Sequence, residues 1–139
     1  MAERSIAVPA WLRLARVFQQ VDRASVDVLR RWDVSVAQFD VLVQVGLREG
    51  MTQQQLADQL LVTKGNVCQL LDRMEERGLL VRRQEGRANR LYLTEKGQQL
   101  RAETVPAQDQ LIEGVFAALP RAEQATLLAL LRRLDHSLG

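Results

Sequence analysis

The chain has 139 residues, enough for one domain with a buried core and too few for two comfortable ones. Its aromatic content of 4% and its three prolines favour a mainly helical protein over a sheet sandwich. One cysteine and one histidine exclude an internal disulfide framework and a Cys/His zinc cage within the chain, so we expect no metal and no cofactor. Charged side chains interrupt the first twenty residues, which lack the apolar stretch of a signal peptide or a membrane span, so we expect a cytoplasmic protein.

The net charge is only +2, but the charge is unevenly distributed along the chain. Residues 52–101 carry nine basic and six acidic side chains, whereas residues 102–139 carry three basic and five acidic ones. The middle of the chain is therefore the segment in which to look for contacts with an anionic partner.

The first half of the sequence has the pattern of successive helices. Pro9 suits the first turn of a helix, and apolar residues then recur every three or four positions as far as Trp32. Ser35 and Gln38 form a capping box that begins a second helix ending near Arg48. The expected apolar face of this second helix is Phe39, Leu42, Val43 and Leu47.

Two further short helices follow, joined by a tight turn. Thr52 and Gln55 repeat the capping box, and the third helix presents Leu56, Ala57, Leu60 and Leu61. Thr63 is expected to cap the fourth helix, and Gly78 to end it. The expected buried face of the fourth helix is Val67, Leu70, Leu71 and Met74. This arrangement predicts a helix-turn-helix.

After the fourth helix the periodicity changes. Two short β-leaning runs, "LLVRR" and "RLYL", surround the polar loop "QEGRAN" and predict a hairpin. Helical spacing resumes at Thr94, with Pro106 expected to kink or divide that segment, and Pro120 begins a last helix. The predicted fold is therefore mainly α with a small β-hairpin in one domain, and the broad apolar stripes of its terminal helices predict a second copy that covers them.

The outer side of the fourth helix is rich in hydrogen-bond donors. Asn and Gln side chains pair with adenine, Arg and Lys side chains pair with guanine, and a glycine lets the backbone approach a phosphate. The candidate DNA-binding residues of this segment are Thr63, Lys64, Gly65, Asn66, Gln69 and Arg73. The alternative interpretation is that any exposed helix face is polar.

The hairpin strengthens the DNA-binding interpretation. Its tip carries Arg87, and Arg82, Arg83 and Arg90 flank the tip, so a cationic arm lies beside the presented helix. An arginine at the tip suits a narrow minor groove, and strand arginines suit phosphates. Glu85 has two interpretations, either a solvated loop carboxylate or an ion-pair partner that aims a neighbouring arginine.

Residues 51–97, "MTQQQLADQLLVTKGNVCQLLDRMEERGLLVRRQEGRANRLYLTEKG", resemble the winged-helix core of the MarR family of transcriptional regulators. The segments "LLDRMEERGLLVRR" and "LTEKG" carry the resemblance, which extends over nearly the whole chain, and Glu85 stands where the family usually has aspartate. The resemblance implies a winged helix-turn-helix lobe at residues 34–97 and dimerisation helices at residues 1–33 and 98–139. It implies a homodimer that binds a pseudo-palindromic operator in double-stranded DNA, with Arg87 as the arginine at the tip of the wing.

The resemblance also implies a repressor that a small aromatic or phenolic effector releases from DNA. The effector-contact candidates are Trp11, Phe18, Trp32 and Phe39, although aromatic residues at helical spacing are more often core residues. Some relatives sense oxidants through a thiol, but we expect Cys68 to be a small buried hydrophobe. His136 is expected at the surface or at the dimer interface.

Three functional hypotheses follow. The first is a dimeric sequence-specific DNA-binding repressor, and the second is a winged-helix module that binds protein through the same face without an operator. An enzyme is the weakest hypothesis, because the sequence has no paired acids and no glycine-rich phosphate motif.

Overall fold

The computed structural model describes residues 4–61 and 66–139. The helices and strands follow the predicted order of four helices, a hairpin and two helices, and confirm a mainly α fold. They are α1 (Ala7–Leu29), α2 (Val36–Leu47), α3 (Gln53–Gln59), α4 (Val67–Glu76), β1 (Leu80–Glu85), β2 (Ala88–Leu93), α5 (Glu95–Phe116) and α6 (Arg121–Leu138), with a 3-10 turn at Arg30–Trp32 after α1.

Both predicted capping boxes are present. The Ser35 hydroxyl accepts from the Gln38 amide at 3.0 Å, and the Gln38 side chain accepts from the Ser35 amide at 3.3 Å. The Thr52 and Gln55 pair has the same two bonds, at 3.1 Å and 2.9 Å. These bonds satisfy amides that a helix start leaves unpaired, which is why so local a pattern fixes the first residue of α2 and of α3.

The core of the lobe lies between α2, α3, α4 and the hairpin. Its fully buried members share a branched or flexible apolar side chain. They include Val41, Leu42, Val45, Leu56, Leu71, Met74, Leu79 and Leu91.

Three residues predicted on the apolar helix faces are exposed, and one of them is Ala57 in α3. Leu47, the last residue of α2, is 68% exposed, and Leu61, after the end of α3, is 76% exposed. Both leucines lie at or beyond the end of a helix, where no other described part of the lobe is packed against them. The sequence periodicity does not show where the core ends, so it assigned them to the apolar face. Val41 and Val45 take the buried places in α2 instead.

The fourth helix begins later than predicted. Asn66 is the N-cap of α4, and its Oδ1 accepts from the Gln69 amide at 3.0 Å. The expected cap, Thr63, lies outside the described residues. At the other end, Gly78 has a φ of +73°, the left-handed conformation predicted for the residue that ends this helix.

The hairpin has a two-residue turn. Glu85 pairs with Ala88 in an antiparallel register, and Gly86 between them has a φ of +63°, as the first central residue of a type II′ turn requires. The alternation of the strands divides the wing into two faces. Arg82 lies on one face, and Arg83, Glu85 and Tyr92 lie on the other.

The terminal helices leave much apolar surface uncovered. No residue of α6 is buried, and α5 runs undivided through Pro106. In α1, Trp11 is 64% exposed and Phe18 is 55% exposed, while Leu134 in α6 is 58% exposed. A polar link joins α1 to α5 where Gln108 donates to the Ser25 hydroxyl at 2.7 Å.

Among the described residues, no helix is both long enough and apolar enough to span a bilayer.

The start of α5 packs closely on the backbone of Leu79, the residue just before β1. A Cβ placed on Gly97 would lie 2.0 Å from the carbonyl oxygen of Leu79, and the Thr94 amide donates to that same oxygen at 3.0 Å. Only a glycine lets α5 approach this backbone so closely.

We therefore expect Gly97→Ala to lower the free energy of unfolding by about 1 to 3 kcal/mol, because the added methyl forces the backbones apart. Gln98→Ala, an exposed neighbour in the same turn, is the matched control and should change it by less than about 0.5 kcal/mol. Urea unfolding at one fixed protein concentration measures both values. Equal unfolding midpoints for the two variants would contradict the close packing.

Candidate nucleic-acid interface

Helix α4 packs on the core with one face and exposes the opposite face to solvent. Leu71 and Met74 are fully buried, whereas Gln69 and Arg73 are exposed. At 3.6 residues per turn these two pairs lie on opposite sides of the helix. Three further candidates, Thr63, Lys64 and Gly65, lie outside the described residues.

Asn66 has a structural role that the sequence did not reveal. One lone pair of its Oδ1 is used in the cap of α4, so only the rest of the amide group is free for another partner. Gln69 and Arg73 are therefore the described residues of α4 with the most freedom to reach a ligand.

Two polar side chains that sequence analysis missed hold the ends of the helix-turn-helix. Asp40, only 8% exposed, accepts from the Leu61 amide at 2.7 Å and so fastens the end of α3 to α2. Arg77, the C-cap of α4, donates to the Asp33 carbonyl at 2.6 Å and to Gln38 Oε1 at 3.1 Å. An acid inside the apolar run "FDVLVQV" was the one available sequence signal for Asp40.

Arg82 does not extend toward solvent. Its Nε and Nη2 donate to Glu75 Oε1 at 2.9 Å and 2.7 Å, and Nη2 also pairs with Asp72. The pKa of Arg82 is raised above its ordinary value, first by the hydrogen bond to Asp72 and then by Glu75, against an opposing effect of burial. The guanidinium thus connects the wing to α4.

Arg90 is also engaged within the protein. Its Nη1 donates to the Gly50 carbonyl at 2.8 Å, and its Nε lies 3.3 Å from Glu85 Oε2. The Tyr92 hydroxyl donates to Glu85 at 3.1 Å, and its pKa is raised by desolvation and by this hydrogen bond. Glu85 therefore forms the ion pair considered from the sequence, with Arg90 as its partner.

The remaining two wing arginines are exposed. The Arg83 guanidinium lies over the Tyr92 ring, 4.9 Å from its centroid, and Arg87 is at the turn. Within residues 4–61 and 66–139, neither forms a salt bridge. Of the four arginines predicted to contact DNA from the wing, Arg82 and Arg90 are bonded within the protein, and Arg83 and Arg87 face solvent.

The expectation for Cys68 was wrong. Its side chain is exposed, and its Sγ accepts from the Gln53 amide group at 3.0 Å. Cys68 follows Val67 by one residue, which turns it by about 100° away from the buried face of α4. The thiol lies on the flank of α4 that contacts α3.

The four aromatic effector candidates do not form one site. Trp32 and Phe39 pack against the lobe core, just beyond the carboxyl end of α1. Trp11 lies near the opposite end of α1, about 27 Å along the helix axis from Leu29, the last residue of α1. A cleft of about 240 Å³ is lined by Trp32 together with residues of α5. In the part of the chain that the structure describes, no three His, Cys, Asp or Glu side chains are arranged to hold a metal ion.

Comparisons with known proteins agree with this geometry. A sequence model of the MarR family matches residues 32–90. An uncharacterized HTH-type transcriptional regulator of Bacillus cereus is 33% identical over 128 residues, which are 92% of this chain and 87% of the relative.

Solved structures show the same architecture. The transcriptional repressor CouR bound to a 23-mer DNA duplex has a TM-score of 0.80 and 25% identity, over 96% of this chain and 99% of that one. A cysteine-to-serine mutant of Escherichia coli MarR complexed with operator DNA has a TM-score of 0.82 and 26% identity, over 92% of this chain and 94% of that one. With helices α3 and α4, an arginine-bearing wing and these relatives, the chain belongs to the MarR family of DNA-binding transcriptional regulators.

Proposed function

We propose that this regulator is a cytoplasmic homodimer that represses transcription by binding a pseudo-palindromic operator. The observation that carries the proposal is the open flank of α4, with Gln69 and Arg73, beside a wing whose Arg83 and Arg87 face solvent. A helix of this kind enters the major groove, and a wing arginine enters the adjacent minor groove, where the potential is most negative.

The relatives support the same function. One structural neighbour is a repressor bound to a DNA duplex, and another is bound to operator DNA. For a symmetric dimer, the two α4 helices should read half-sites about 34 Å apart, one turn of the double helix.

The dimer is proposed from the uncovered apolar surface. An 18-residue helix with no buried residue gains little stability from its own chain. Residues 1–33 and 98–139 are the proposed dimerisation region, in which α1, α5 and α6 of two copies cover each other.

Release by a small aromatic effector is part of the proposal. Of the four aromatic candidates, Trp32 has the best support, because it lines a cleft between α5 and the end of α4. A ligand there would contact the region in which Arg77 fastens α4, so binding and DNA release would be linked. Titration of the DNA complex with phenolic compounds tests this part.

The wing arginines give the first test of DNA binding. We expect Arg87→Ala to weaken binding to every duplex by about 1 to 3 kcal/mol and to reduce the salt slope by about 1, because a phosphate or minor-groove contact is lost. Arg83→Ala should also reduce the slope. Arg48→Ala, an exposed arginine at the end of α2 and outside the proposed dimerisation region, is the control and should leave both quantities unchanged.

Fluorescence anisotropy with an operator selected from a random duplex pool measures these effects at two salt concentrations. Unchanged affinity and slope for Arg87→Ala would contradict its role at the tip of the wing. Failure of the native chain to select any sequence would favour the alternative, a winged-helix module that binds protein.

The dimer has its own test. Leu134→Gln should shift the chain toward monomer by removing apolar surface from the proposed interface, whereas Asp135→Gln, its exposed neighbour, should not. Sedimentation equilibrium reports both masses. A native chain that sediments as a monomer would contradict the proposed assembly.

A further inference from the structure

Arg82 differs from the other wing arginines in the direction of its side chain. It lies on the face of the hairpin that packs on α4, and its side chain is only 22% exposed. Its two carboxylate partners, Asp72 and Glu75, lie three residues apart on the flank of α4 next to the wing.

We propose that Arg82 is a positioning residue for DNA recognition, which fixes the rotation of α4 relative to the wing and makes no contact with DNA itself. The inference rests on the proposed DNA-binding function. The sequence analysis placed Arg82 among the DNA contacts, and the proposal instead makes it a residue that holds the contacting side chains in place.

The geometry of the ion pairs supports this role. The guanidinium meets Glu75 through two nitrogens, the Arg82 backbone amide donates to Glu75 Oε2 at 3.4 Å, and Nη2 also reaches Asp72. Because the planar guanidinium bonds to two carboxylates on the same flank of α4, these bonds resist rotation of the helix about its axis. The side chain and the backbone of β1 act together, so the wing and α4 are held as one unit.

The electrostatics favour the same assignment. Asp72 is adjacent to Arg73 in sequence and one turn from Gln69, so it lies beside the open flank of α4 and is 54% exposed in its side chain. Without a cation, its charge would repel the phosphates that the flank approaches. Arg82 neutralises this charge while its bonds keep the guanidinium turned toward α4.

The experiment compares two ways of breaking the same contact. Arg82→Met removes the cation, and the double variant Asp72→Asn with Glu75→Gln removes the anions while keeping the arginine. If Arg82 positions α4, both variants should lose about tenfold in the ratio of operator affinity to affinity for unrelated duplex DNA. The salt slope is read on the triple variant, which removes the arginine together with both carboxylates and so leaves no bare acid beside the flank. If Arg82 makes no phosphate contact, this slope should remain that of the native chain, in contrast to Arg87→Ala.

A charge swap adds a rescue. Arg82→Glu combined with Glu75→Arg rebuilds an ion pair with its direction reversed, and we expect it to recover part of the selectivity that Arg82→Glu loses alone. A residue that binds phosphate gains nothing from such an exchange. Circular dichroism and thermal unfolding establish that each variant is folded, and the Asn/Gln double variant keeps the test decisive if Arg82→Met does not fold.

Two results would overturn the proposal. Tighter and still selective operator binding by the double variant, with a salt slope steeper than that of the triple variant, would show that Arg82 contacts phosphate once its partners are gone. Native selectivity in all folded variants would show that the ion pairs do not position α4. A native chain without any selective DNA binding would instead defeat the proposed function, which separates the two failures.

Discussion

The burial of one face of α4 is the constraint on which the rest of the structure depends. Leu71 and Met74 are fully enclosed in the lobe core, and an amphipathic helix held in this way has only one face to offer. Gln69 and Arg73 are presented because the apolar residues cannot rotate outward without exposing their surface to water. The fold thus determines which side chains can meet a ligand before any ligand is considered.

Polar contacts refine what the core establishes. Asp40 fixes the approach to α4, Arg77 fixes its end, and Arg82 fixes its flank to the wing. Arg77 and Arg82 tie α4 directly to other elements, whereas Asp40 ties the end of α3 to α2. A regulator needs this arrangement, because a helix and a wing that read neighbouring grooves must keep a constant separation.

The sequence predicted local features well and tertiary ones less well. The two capping boxes and the end of α4 at Gly78 depend on residues within four positions of one another, and they were predicted. The hairpin was predicted as well, but its loop is only Gly86 and Arg87 and not the whole of "QEGRAN", because the strands extend to Glu85 and from Ala88. Cys68, Leu47 and the partners of Arg82 and Arg90 depend on where distant segments pack. A run of arginines in a hairpin indicates positive charge, but the strand alternation and the position of α4 decide which of them face solvent. The N-cap of α4 at Asn66 was missed because both Thr63 and Asn66 are residue types that cap helices, and the sequence pattern was assigned to the earlier of the two.

The account is tested most directly by the reactivity of Cys68, the single thiol of the chain and a residue on the flank of α4. The rate of labelling with a maleimide can be measured on the free protein, with saturating operator, and with unrelated duplex DNA at the same concentration. The account predicts rapid labelling of the folded free protein and strong protection by the operator alone, because α4 enters the groove. Equal labelling rates with and without bound operator would show that DNA binds elsewhere, and would contradict the assignment of α4 as the reading helix.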